Sequence, residues 1–294
     1  MLKSFLLKIW NSDIRILQLS LMGILLLTGV MIQDFSISYK QVVLTFISGF
    51  ITQYFWIKWN KLNKNSIFSG LITCLGLSLL LRSDTYWVHP IIAFLTISSK
   101  FLIKYKKKHI FNPAMLGVVL GISIFPGTWI SPGQWGDEII IIFFLLLFGL
   151  LVSRRARIHD ISFAFLFFYI GMVYIRIFYF GYEFSVFIHQ ISNGALILFS
   201  FFMITDPRTA PNHRKGRIFH AFFVALFTFI WQFYYFKQSG LIWALFFLSP
   251  LVPFWDVLFK AKIFQWNQLL QGNFNETKQN LNTTDNINLS PTSL

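Results

Sequence analysis

This chain is poor in carboxylates and all but devoid of cysteine: its 294 residues carry 11 Asp and Glu and one thiol, Cys74. One thiol rules out a disulfide framework within the chain and an iron–sulfur cluster ligated by this chain alone. The acids also avoid the interiors of the apolar runs. Asp13, Asp34, Asp84, Asp137, Glu138, Asp160 and Glu183 sit at or beyond run ends, Asp206 and Asp256 close two runs, and Glu276 and Asp285 lie in the C-terminal stretch. Proton and cation pumps ordinarily carry a carboxylate inside a span, so a stand-alone pump is disfavoured. Histidine is sparse too: six residues, split between the two ends of the runs, with no same-depth pair to hold a haem. The opening "MLKSFLLKIWNSDIRIL" does not read as a cleaved secretory signal, because its apolar part is short and no small-residue cleavage site follows.

What is abundant is apolar. Hydrophobic residues make up 55% of the chain, 37 of them Phe, and mean hydropathy is +0.62 with only 12% charged residues. A soluble domain of this size has too much surface for that composition. Ten apolar runs stand out, at 14–32, 41–57, 67–82, 86–103, 111–126, 138–152, 160–178, 190–205, 218–236 and 241–259. Each is near the roughly 20 residues that cross a bilayer as a helix. The expectation is an all-α polytopic membrane domain over residues 1–262, with ten transmembrane helices and two five-helix halves that would be inverted in the membrane.

The loops orient it. With the N-terminus in the cytoplasm, twenty Lys and Arg fall in inside segments, and only Lys40, Arg82, Arg176 and Lys237 fall outside. A missing span would scramble that alternation, so the bias predicts ten spans with both termini cytoplasmic in a bacterial inner membrane. The net charge of +14 is then a topology signal, and nucleic acid is not expected as a partner. Residues 263–294, rich in Asn, Gln, Thr and Ser, read as a disordered cytoplasmic tail.

Two stretches on the inside face break helix grammar. In "KKKHIFNPAMLG", 106–117, Asn112 suits a helix N-cap and Pro113 the first turn. In "FFMITDPRTAPNHRKGRIFHAFF", 201–223, Asp206-Pro207 repeats the device, and Pro211 and Gly216 punctuate the basic loop. Plain capping with positive-inside charge explains these features. A second reading has two helix ends and a basic loop converging on an anionic or polar ligand near the cytoplasmic surface. One Asn-Pro-Ala in a ten-run chain does not match aquaporins, which carry two copies in six spans.

Taken together, "FNPAMLGVVLGISIFP" (111–126), "SNGALILFSFFMITDPRTAP" (192–211), "KGRIFHAFFVAL" (215–226) and "LSPLVPFWD" (248–256) resemble the NqrB/RnfD family over about residues 86–259. Its members are membrane flavoprotein subunits of sodium-pumping NADH:quinone oxidoreductase and of Rnf electron-transport complexes. The resemblance implies ten helices, a flavin held non-covalently among them, and other membrane or periplasmic redox subunits as partners. It also implies an FMN esterified to a Thr in an outer loop. The corresponding loop here, 126–138, has only Thr128 in the wrong setting, and "SNGAL" at 192–196 has no Thr. No covalent FMN is therefore expected, and the pattern is closer to the stand-alone RnfD-like (UnbU-like) branch. The family positions carried over are Asn112, Pro113 and Gly117; Gly194, Asp206, Pro207, Thr209, Gly216 and Arg217; and Pro253 and Asp256. Asn112, Asp206 and Thr209 are the expected polar contacts to the flavin ring or its ribityl chain. The alternatives are a channel-like transporter of a flavin or another small polar solute, and a structural subunit that kept the fold without the cofactor.

Overall fold

A computed structural model describes residues 13–31, 38–106, 108–131 and 139–263. All but the first residue of the expected 263–294 tail, and most of the 126–138 loop, lie outside them. All ten apolar runs are helical: α1 Ile14–Met31, α2 Tyr39–Trp59, α3 Ile67–Leu80, α4 Val88–Leu102, α5 Pro113–Ile124, α6 Ile139–Arg155, α7 His159–Phe180, then α8 Phe184–Ile191 with α9 Gly194–Leu198, α10 Arg214–Phe233, and α11 Gly240–Leu248 with α12 Val252–Leu258. The chain is an all-α multi-pass membrane protein.

The helices are not uniform. By length and apolar character, α1, α7, α10 and the Gly240–Leu258 run can each cross a membrane. A fifth crossing is made if α8 and Gly194–Met203, bent by 48°, count as one. At 21 residues α2 has the length but less apolar character, with Gln41, Gln53 and Lys58 along it. The run expected at 190–205 is thus a broken element, interrupted at Ser192-Asn193 and ending in a π turn over Phe199–Met203.

Two other runs come out shorter than expected. Helices α3 and α5 have 14 and 12 residues, about 21 and 18 Å at ~1.5 Å per residue, against a hydrocarbon core of ~30 Å. Each stops because the chain turns extended: strand β1, Leu81–Ser83, pairs antiparallel with β4, Thr128–Ile130, in the register Leu81 opposite Ile130. Gly127, at φ 70°, makes the turn before β4, and its carbonyl accepts the Asp84 N–H at 2.9 Å. Every residue from Cys74 to Leu80 is buried, as are Pro113, Gly121 and all of Met115–Val119. Helices apolar all round belong inside a bundle, and backbone that leaves helical form at depth survives only where protein covers it. Gly117 serves this crossing: a Cβ there would meet Thr96 Oγ1 and lie 2.6 Å from Leu77 Cδ2.

Around this centre, α7 presents Ile161, Phe165, Tyr169, Val173 and Ile177 as one buried stripe to α10, where Tyr169 donates to Gln232 Oε1 at 2.7 Å. At the opposite end from β1 and β4, strands β2 (Lys104–Tyr105) and β3 (Lys108–His109) form a hairpin between α4 and α5. The basic segments assigned to one side by charge do meet at this end. Arg217 pairs with Asp160 at 2.7 Å, Lys108 with Asp256 at 2.8 Å, and Arg15 and Arg208 border one cavity.

Candidate functional site

The site is built on two helix ends. Asn112 is the N-cap of α5, as its sequence position predicts: Oδ1 accepts the Met115 N–H at 3.2 Å and Pro113 occupies the first turn. The same side chain reaches the other end. Its Nδ2 donates to the Met203 carbonyl at 3.3 Å, an oxygen at the end of the Phe199–Met203 turn that also accepts the Asp206 N–H at 3.4 Å. One buried amide therefore ties the "FNPA" helix to the "ITDPRTAP" loop.

That loop is closed by its own carboxylate and carbonyl. Asp206 Oδ1 accepts the Arg208 N–H at 2.9 Å, while its carbonyl accepts the N–H groups of Thr209 and Ala210 at 3.0 and 2.8 Å. The Thr209 hydroxyl donates to the same carbonyl at 3.3 Å.

A cavity of about 100 Å³ lies against this junction, lined by Asn112, Pro113, Asp206, Pro207, Arg15 and Arg208 among others. Gln18, Ser69, Thr73, Thr205 and His109 add polar groups to its wall. Burial pushes the half-buried Asp206 carboxyl above the usual carboxylate range, against the hydrogen bond and charge of Arg208, which pull the other way. Burial also lowers the Arg208 guanidinium, offset in part by Asp206. His109, on β3, is held down to about 3 by burial and the nearby Arg208 and Lys100 charges, so its ring is neutral at physiological pH. Its Nδ1 lies 2.9 Å from the Lys100 carbonyl.

The remaining expected residues go elsewhere. Arg217 is spent on protein: Nε and Nη2 donate to Asp160, and Nη1 donates to the Asn212 carbonyl at 2.8 Å. Asp256 accepts Lys108 Nζ at 2.8 Å on Oδ2 and the Asn212 N–H at 2.7 Å on Oδ1. Lys108 completes this latch with bonds to the Ala210 carbonyl and Asn212 Oδ1, at 2.6 and 3.3 Å. Beside it lies a second pocket of about 170 Å³, with Pro253, Asp256 and His109 in its wall. Gly216 packs against Pro211, and Gly117 lies in the α3–α4–α5 crossing. Gly194 opens α9 behind the Asn193 cap, whose Oδ1 accepts the Ala195 N–H at 2.8 Å. Thr128 is on β4, donating to Ser83 Oγ at 3.2 Å.

Asn193 belongs to a further cavity at the β1–β4 end. Its volume is about 430 Å³, and Gln232, Gln238 and Ser239 supply the other polar groups. This cavity and the 100 Å³ one share three wall residues, Leu80, Leu198 and Met203. The two spaces thus lie back to back across an apolar septum. The sequence reading assigned Arg15 and Arg208 to topology and had no signal for Gln18 or the latch, because these meet only through tertiary packing. Among the described residues, no group of three or more His, Cys, Asp or Glu could hold a metal ion.

A flavin makes two demands on this geometry, polar partners and room. The inner lining offers amide, carboxylate and guanidinium groups suited to the ring edge. Its volume, about 100 Å³, is below the ~300–1,000 Å³ of cavities that enclose ligands of that size. As it stands it does not hold the tricyclic ring.

A comparison with curated proteins gives no match. Residues 130–265, a little under half of the chain, match the model of one protein family, described as the NQR2, RnfD, RnfE family.

Proposed function

We propose that this chain, which belongs to the NQR2, RnfD, RnfE family through its residues 130–265, relays electrons across the membrane for partner redox subunits. The carrying observation is that the family segment's "ITDPRTAP" loop is tied by Asn112 to the end of "FNPA" around one polar cavity. Family membership makes it a membrane subunit of electron-transport complexes. The chain has one cysteine, and its described residues hold no metal-binding cluster. Partner subunits in or beside the membrane would deliver the electrons and take them up. The basic loops at this end support a cytoplasmic position for the Asn112–Asp206 face in a bacterial inner membrane.

The redox group assigned to that face is a non-covalent flavin, riboflavin or FMN, which supplies one- and two-electron transfer when bound. Asp206, Arg208 and the N–H left free on Asn112 are the groups for its polar edge. The present volume requires the cavity to widen before it takes the ring. Visible absorption and fluorescence of the detergent-purified chain decide the point. Acid-extractable flavin near one per chain, lost in Asp206→Ala and Asn112→Ala while both remain folded, is the expected outcome. A colourless wild-type protein removes the flavin from this reading, and unchanged flavin in both variants removes it from this cavity.

A second reading, passage of a small polar solute, has its own support in the two cavities divided by Leu80, Leu198 and Met203. A colourless protein whose Leu198→Ala variant speeds solute flux into vesicles favours it over electron relay.

A further inference from the structure

Arg176 is an oddity that the redox reading does not use. It sits on α7 near the β1–β4 end, half-buried, where its guanidinium carbon lies 4.6 Å from the centre of the Phe233 ring, 5.4 Å from Phe180 and 5.5 Å from Tyr182. Three rings thus surround its faces. Among the described residues no carboxylate pairs with it and no group hydrogen-bonds to its side chain. Aromatic faces attract a cation but accept none of its N–H groups in the plane, where guanidinium binds carboxylate and phosphate. A half-buried arginine among apolar groups ordinarily finds an anion.

Next to it runs a groove of about 640 Å³ between α7 and α10. Met172, Ile175, Phe229 and Ile230 line its length, and Tyr179 and Tyr234 stand beside it, 80% and 73% exposed. Exposed Tyr and Phe at the end of membrane-crossing helices mark the boundary between hydrocarbon and head groups. The groove therefore starts at head-group level and follows two crossing helices into the hydrocarbon.

We propose that this groove holds an anionic phospholipid, with its phosphate on the edge of the Arg176 guanidinium and an acyl chain between α7 and α10. The charge complementarity selects the head group and the apolar walls select the chain. Free phosphate satisfies only the first, and a neutral alkyl chain only the second. The site is separate from the Asn112–Asp206 cavity and does not depend on the electron-relay reading.

Native mass spectrometry of the full detergent-purified chain tests it, titrating phosphatidylglycerol, phosphatidylcholine and inorganic phosphate in turn. Phosphatidylglycerol should be retained at one copy, with phosphatidylcholine and inorganic phosphate much weaker. Arg176→Gln should weaken retention about fivefold, the effect expected of one basic residue at an anionic head group. Ile230→Trp, which fills the groove, should reduce retention while leaving the charge in place. Lys237→Gln, removing an exposed cation at the same end, should change nothing. Equal retention by Arg176→Gln and wild type overturns the proposal, as does equal binding of phosphatidylcholine. Full competition by inorganic phosphate alone overturns the acyl-chain part.

Discussion

Replacing Asp256 by Ala removes a group whose two oxygens are both committed. One accepts the Lys108 ammonium at 2.8 Å and the other the Asn212 N–H at 2.7 Å. Lys108 and Asp256 side chains are only 7% and 15% exposed, so the ammonium left behind is poorly hydrated. A charge-assisted hydrogen bond contributes about 1.5–3 kcal/mol, and a stranded buried donor costs about 1–3 more. The sum agrees with the ~3–5 kcal/mol for breaking one side of a buried ion pair. At roughly 2–4 °C per kcal/mol in chains of this size, the apparent melting temperature in detergent should fall by about 10 °C. Lys108→Met in the same protein should recover much of the loss, because it removes the stranded charge. Differential scanning fluorimetry of the two single variants and the double variant reads the result. If Asp256→Ala melts with the wild type, or if the two losses simply add, the latch does not hold this face as described. An isoalloxazine bound directly by Asp256 would instead show as lost flavin at unchanged stability.

Other expectations follow from the same residues. His109 has its folded pKa depressed to about 3, so its contribution to stability is present above pH 6.5 and lost as pH falls towards 3. His109→Gln should flatten that acid limb, whose slope for one group is at most about 1.4 kcal/mol per pH unit in chemical unfolding. Asp206 has the opposite sign: its raised pKa gives stability present below the ordinary carboxylate value and lost as pH rises through the folded value. Asp206→Asn should therefore melt no lower than wild type at pH 7–8, and a large drop there would refute its placement. Gly117→Ala should cost about 1–3 kcal/mol by overpacking the Thr96–Leu77 contact, seen as a lower melting temperature. For orientation, cysteines placed singly at Lys106 and Lys237 in a Cys74→Ser background should label from opposite sides of intact cells, with Lys106 accessible only after permeabilisation.

The helix positions were legible because a 3.6-residue coil is the only form in which an isolated apolar run satisfies its backbone in lipid. Asn112-Pro113 was legible for the same local reason: an N-cap and its proline act within four residues. The break at Ser192-Asn193 and the early ends of α3 and α5 were not. Composition alone cannot tell a full crossing from a half-crossing whose end is covered by protein, and the β1–β4 pairing that ends α3 and α5 joins residues 45 to 49 positions apart. The acidic partners escaped for a similar reason. Asp160 reads as an ordinary run end and Asp256 as a family site position, yet each is the counter-ion of a base more than 50 residues away.

With water standing in both cavities, the septum of Leu80, Leu198 and Met203 would set where the membrane voltage acts. A uniform slab spreads its potential over ~30 Å of hydrocarbon. Water standing in both cavities would carry each bulk potential inward and leave most of the drop to a layer about one side chain thick. A unit charge crossing there would take up nearly the whole ~2.3 kcal/mol per 100 mV within a few ångströms. Thickening or thinning those three side chains would then change voltage sensitivity without touching a single charged residue.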